Sequence, residues 1–141
     1  MKRNLFAYGT LLVPDIWDLV VGESFRSEPA VLPEFEVFRV IGGDFPGITK
    51  SERADAKVPG RVYFDLDEIT IARLDAYEGT FYERLKVECN HKESDEQIHC
   101  DTYIIPKPAA EGVLSVEVWT LEWFQAEAQE SYLERMQGAG F

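Results

Sequence analysis

The sequence predicts an α+β fold whose sheet is largely antiparallel, of a kind that can close into a barrel. Three observations lead there. Strand-like runs outnumber helical ones, three segments carry helical spacing, and the two do not alternate in regular βαβ order. Arg61–Leu66 alternates apolar and polar residues, and Tyr82–Cys89 alternates strictly, the pattern of strands with one buried face. At 141 residues the chain suits one domain spanning 1–141 with a single core.

Composition narrows the function classes. Hydrophobic residues make up 45% and aromatics 13%, the makeup of a packed domain rather than a disordered chain. The formal net charge of −12 argues against nucleic acid and anionic membrane surfaces as partners, because both are bound by clustered Lys and Arg. It does not bear on a small molecule, which meets the pocket and not the mean surface. The basic start Met1-Lys2-Arg3 is followed by an apolar run that ends at Gly9, too short for a targeting segment. With two cysteines there is no disulfide framework, so a cytoplasmic location is expected.

In order along the chain, Leu5-Phe6-Ala7-Tyr8 reads as a strand that breaks at Gly9. Thr10 and Leu11 would then offer backbone N–H groups without ladder partners, suited to a carboxylate or a developing oxyanion. An ordinary first strand ending in a glycine turn accounts for the same residues. Asp15 to Val21 reads as a short helix stopped by Gly22. Pro33 breaks the run from Pro29, and Phe35–Ile41 is the strand expected next. Gly42–Gly47 is a turn cluster, Ser51–Lys57 an exposed loop, and Arg61–Leu66 a strand with Val62, Phe64 and Leu66 on one face. A helix follows, with Asp65 and Glu68 at capping-box spacing and Asp67 as the competing N-cap; it ends at Gly79. Tyr82–Cys89 and Gln97–Ile105 fold as a hairpin with Cys89 opposite Cys100, Val87 opposite Thr102 and Leu85 opposite Ile104. That register sets Glu88 against Asp101. A short strand over Val113–Trp119 and one helix from Thr120 to Gln137 complete the expectation.

Glu78 is the local anomaly. It stands four and seven residues beyond Leu74 and Ile71, so helical spacing aims its carboxyl with the core side chains. It lies in the last turn, where the helix dipole disfavours an anion, and Asp75 adds like charge. Burial, dipole and repulsion all push such a carboxyl upward, as a general base near neutral pH requires. A helix that frays at Tyr77 would instead turn Glu78 to water, and spacing alone leaves both readings open.

Taken together, Phe6-Ala7-Tyr8-Gly9-Thr10-Leu11, Leu74-Asp75-Ala76-Tyr77-Glu78-Gly79 and Tyr82-Glu83-Arg84 resemble the γ-glutamylcyclotransferase-like family, which includes γ-glutamylamine cyclotransferases and AIG2-like proteins. Phe45-Pro46-Gly47-Ile48 and Val58–Tyr63 also resemble its middle segments, so the likeness runs from Leu5 to Ile105 in compatible order. It implies a small mixed barrel flanked by helices, with a cavity between the first-strand turn and a catalytic Glu. By position, Glu78 would be the general acid/base and the Tyr8, Gly9, Thr10 and Leu11 backbone would bind a γ-glutamyl group. Tyr82 would touch substrate or support Glu78, with packing against the helix end as the alternative. The implied reaction releases 5-oxoproline and a free amine, and requires no metal, nucleotide or other cofactor. A catalytically idle binder or interaction module of the same fold is the rival.

Other constellations carry less. Cys89, His91, His99 and Cys100 match no zinc spacing, and the hairpin turns His99 away from the two cysteines. Buried cysteines beside solvated histidines fit them better. The acidic loop 91–96 lacks the glycine-punctuated spacing of a calcium loop. Neither Gly9 nor Gly42-Gly43 belongs to a phosphate loop. Trp123, in the last helix, is a candidate pocket lip as well as a packing residue.

Overall fold

The computed structural model describes residues 2–141. Five strands close into a barrel: β1 (Arg3–Ala7), β5 (Lys57–Leu66), β2 (Ser27–Pro33), β6 (Glu83–His91) and β7 (Gln97–Ile104), in that order. Every pairing is antiparallel except β7 with β1, where Leu5 meets Asp101 in parallel. A separate hairpin joins β3 (Phe35–Arg39) to β4 (Pro46–Lys50). The helices are α1 (Pro14–Val20), α2 (Glu68–Glu78), α3 (Lys107–Val113), α4 (Leu121–Glu127) and α5 (Gln129–Gly138). No helix among the described residues is long and apolar enough to cross a membrane.

The apolar run Leu5–Ala7 at the end of β1 follows from burial on both faces. Leu5 and Ala7 join one apolar cluster with Trp17, Ile71, Leu74 and Phe124, all but Leu5 and Ala7 from helices. Phe6 and Tyr8 join a second, with Leu32, Val58, Val62 and Cys100 from the barrel strands. Alternation of side chains along a strand does this, and it leaves no polar position within that run to give it an amphipathic look.

Several sequence expectations are corrected. Ser27–Pro33, where the sequence showed only a run broken at Pro33, is a full barrel strand paired to β5 along its whole length. The pairs Pro29–Arg61, Val31–Pro59 and Pro33–Lys57 share one parity. An antiparallel ladder tolerates prolines on such pairs because the missing N–H would point to the other neighbour. The same ladder draws β5 back to Lys57, four residues ahead of the expected start. Asp65 takes a φ of +59°, and β1–β5 pairing shifts between Arg3 and Leu5. That irregularity turns Leu66 into the helix-side cluster, away from Val62 and Phe64.

The hairpin register is Leu85–Thr102, Val87–Cys100 and Cys89–Ile98, two residues from the expected pairing. The same side chains face inward, since a slip of two preserves the faces. Lys86 now opposes Asp101 and Glu88 opposes His99, which removes the like-charge pair that the expected register carried. Val113–Trp119 is not a strand: α3 ends at Val113 and one bridge links Leu114 to Val40. The last helix is broken at Ala128, with φ −131° and ψ −20°. Asp67, not Asp65, caps α2, accepting from the Thr70 N–H at 2.8 Å.

Candidate active site

The site begins where β1 ends. After Gly9 the chain coils into a 3-10 turn over Thr10–Leu12, with the Leu12 N–H donating to the Gly9 carbonyl at 2.9 Å and the Val13 N–H to that of Thr10 at 3.0 Å. The N–H groups of Thr10 and Leu11 donate to no backbone carbonyl among the described residues. Gly9 is required by closeness: a Cβ there would stand 2.7 Å from Pro46 Cγ, so the β4 strand presses directly on the turn.

Helix α2 delivers its last turn to the same place. Ile71 and Leu74 anchor it in the helix-side cluster, and Gly79 at φ +67° ends it, a conformation glycine adopts without strain. Helical geometry holds through Glu78, so the side chain follows Leu74 inward and does not fray to water. Glu78, Tyr8, Gly9, Thr10, Leu11 and Tyr82 all line one cleft of about 380 Å³.

Within the cleft the polar side chains are tied together, with one exception. The Tyr8 hydroxyl donates to the Tyr103 carbonyl at 2.7 Å, and the Tyr82 hydroxyl to the Pro46 carbonyl at 2.6 Å. Thr10 Oγ1 and the Tyr77 hydroxyl are 2.7 Å apart, and Tyr77 is bonded in turn to the Tyr132 hydroxyl. Asp75, one turn before Glu78, accepts from Arg84 Nε at 3.0 Å and from the Tyr103 hydroxyl at 2.7 Å. The Glu78 carboxyl has no hydrogen-bond or ion-pair partner among the described residues. Burial, followed by the charge of Asp75, raises its pKa from 4.5 to about 8. Burial also raises the phenols of Tyr8, Tyr77 and Tyr82, keeping them protonated donors.

Tyr103, Tyr132 and Arg135 also line the cleft and were not marked as site residues in the sequence. Tyr132 lies on an apolar helical stripe, which reads as packing. Trp123 is not a lip of this cleft; its ring is covered by the Arg39 guanidinium 3.7 Å from the centroid. Of the demoted cluster, Cys89 and Cys100 have Sγ atoms 3.5 Å apart in the barrel-side cluster, and His99 faces Glu88. His91 is not solvated: its Nε2 lies 2.8 Å from Glu28, and its Nδ1 accepts from the Glu93 and Ser94 N–H groups.

The fold is shared with known proteins. Residues 5–124 match the family described as gamma-glutamyl cyclotransferase, AIG2-like. The chain belongs to that family. It is 34% identical over 101 residues to AIG2-like protein B of Arabidopsis thaliana, covering 72% of this chain and 58% of that protein. AIG2-like protein D of the same plant is 30% identical over 121 residues, 83% of this chain and 78% of that one. The chain spans roughly 60% of the length of the first curated relatives it matches. A solution structure from Arabidopsis thaliana superposes with a TM-score of 0.72 at 27% identity, covering 95% of this chain and 87% of that one. A structure named gamma-glutamyl cyclotransferase superposes at 0.64 with 21% identity, over 74% and 67%, a likeness of fold.

Proposed function

We propose that the cleft converts a γ-glutamyl amide to 5-oxoproline and a free amine, with Glu78 as the proton carrier. The observation behind this reading is the pairing of one unpartnered carboxyl, raised to about 8, with free backbone N–H groups at Thr10 and Leu11 on the same cleft. The N–H groups bind the γ-glutamyl moiety. Glu78, deprotonated, takes a proton from the α-ammonium, and the freed amine attacks the γ-carbonyl carbon. A new C–N bond closes the five-membered ring. Glu78 returns that proton to the departing nitrogen as the original amide bond breaks, and the surplus proton of the ring nitrogen passes to the released amine, which leaves as its ammonium.

Attacking and leaving groups belong to one molecule, so the protein's task is to fold it and to carry one proton. Well-oriented intramolecular attack supplies effective molarities of about 10⁵ M or more, enough to make positioning the dominant contribution. A carboxyl with a pKa near the working pH takes and returns a proton with little penalty in either direction.

The test is 5-oxoproline release from a panel of γ-glutamyl amino acids, glutathione and γ-glutamyl amines, with wild type beside Glu78→Gln. Release by wild type and none by the variant, at unchanged thermal stability, is the expected result. Turnover retained in the variant overturns the role of Glu78. Binding of the panel without release by either protein favours the idle binder.

A further inference from the structure

Helix α5 lies beyond the 5–124 stretch that matches the family, yet two of its side chains reach the cleft. Tyr132 ends the hydroxyl chain that starts at Thr10, and Arg135 stands beside it. Among the lining residues Arg135 is the one cation and Glu78 the one carboxylic acid. Aromatic edges make up the adjoining wall: Phe45 meets Phe81 edge-on at 5.8 Å, and Phe81 meets Tyr82 edge-on at 5.0 Å.

The Arg135 guanidinium is fixed in place. Its Nη2 donates to Asp44 at 2.6 Å and its Nη1 to Ser131 Oγ at 3.1 Å. A guanidinium has five N–H donors in a rigid fork, so three remain for a ligand. Asp44 offsets part of the charge. What Arg135 offers a substrate is therefore an oriented set of donors that fits a planar carboxylate, at short range.

We propose that Arg135 selects substrates whose leaving amine carries a carboxylate, namely γ-glutamyl derivatives of apolar or aromatic amino acids, over γ-glutamyl amines. This rests on the cyclotransferase reading, which puts the γ-glutamyl end at the Gly9 turn and Glu78 and directs the leaving half toward α5. A carboxylate arriving there finds the free N–H groups of Arg135, and its side chain finds the Phe45, Phe81 and Tyr82 rings. A second ammonium in that half would meet a cation instead.

The experiment compares kcat/KM for 5-oxoproline release from γ-glutamyl-phenylalanine and from γ-glutamyl-phenylalaninamide, which differ only in the carboxylate. Wild type, Arg135→Gln and Arg135→Lys are run side by side. Wild type is expected to prefer the acid about tenfold or more, the strength of a hydrogen-bonded charge contact. Arg135→Gln brings the ratio close to one, and Arg135→Lys keeps part of it. Loosening of α5 alone would lower both substrates together and leave the ratio standing, which overturns the proposal. So does a wild-type ratio near one. Release of 5-oxoproline without discrimination overturns this inference alone; no release from either substrate overturns the cyclotransferase reading with it.

Discussion

Asp75 and Glu78 stand one turn apart at the end of α2 and differ completely in their partners. Asp75 is held by Arg84 and the Tyr103 hydroxyl, whereas Glu78 has no such partner among the described residues and faces the cleft. Burial, and after it the charge of neighbouring Asp75, lifts Glu78 to about 8. A partnered acid thus tunes an unpartnered one.

The tuning has a pH signature in stability. Between the ordinary 4.5 and about 8, the folded chain holds a proton on Glu78 that the unfolded chain has lost. Stability contributed by that proton is full below 4.5 and is lost as pH rises through the window. Glu78→Gln removes the loss. Its Tm relative to wild type should therefore grow more positive from about pH 5 to about pH 9. A Tm difference that stays constant across this range would falsify the assigned shift. In wild type, turnover should rise through about pH 8 as Glu78 becomes a base.

Gly9→Ala is expected to cost about 1–3 kcal/mol, because its new methyl must displace Pro46 from 2.7 Å. The displaced turn carries the Thr10 and Leu11 N–H groups, so kcat/KM should fall about tenfold or more. Thermal unfolding and steady-state kinetics on one preparation check both. An active, equally stable variant would show that the close approach is unimportant.

Tyr82→Phe separates the ring from the hydroxyl. The hydroxyl is committed to the Pro46 carbonyl at 2.6 Å. Its loss should cost about 1 kcal/mol of stability and lower kcat/KM by less than about tenfold. A loss of turnover as complete as that of Glu78→Gln would place the hydroxyl in the chemistry instead.

Arg84→Met tests the support beneath the site. Asp101 is buried, accepting from Arg84 Nη1 at 2.7 Å and from Arg3 Nη1 at 3.2 Å. Removing Arg84 leaves a buried carboxylate with one partner, at a cost of about 2–3 kcal/mol. Urea unfolding measures it, and a change under about 0.5 kcal/mol would mean that Arg3 alone suffices.

Much of this molecule was legible in the chain because the signals were local. The break at Gly9 and the stop at Gly79 follow from backbone freedom, which neighbours elsewhere in the chain do not alter, whereas spacing alone left Glu78 open between the core and water. Motif order carried the family resemblance in the same way. By itself, then, the sequence determined the α+β class and the local chain breaks at Gly9 and Gly79. Tertiary structure alone decided the rest. It made a strand of Ser27–Pro33, because β5 offers a ladder parity that prolines can occupy. It shifted the hairpin by two residues, since either register buries the same faces and only the packed barrel chooses between them. And it brought Tyr132 and Arg135 into the cleft, because a residue on an apolar or charged helical stripe shows its partner only once the helix has docked.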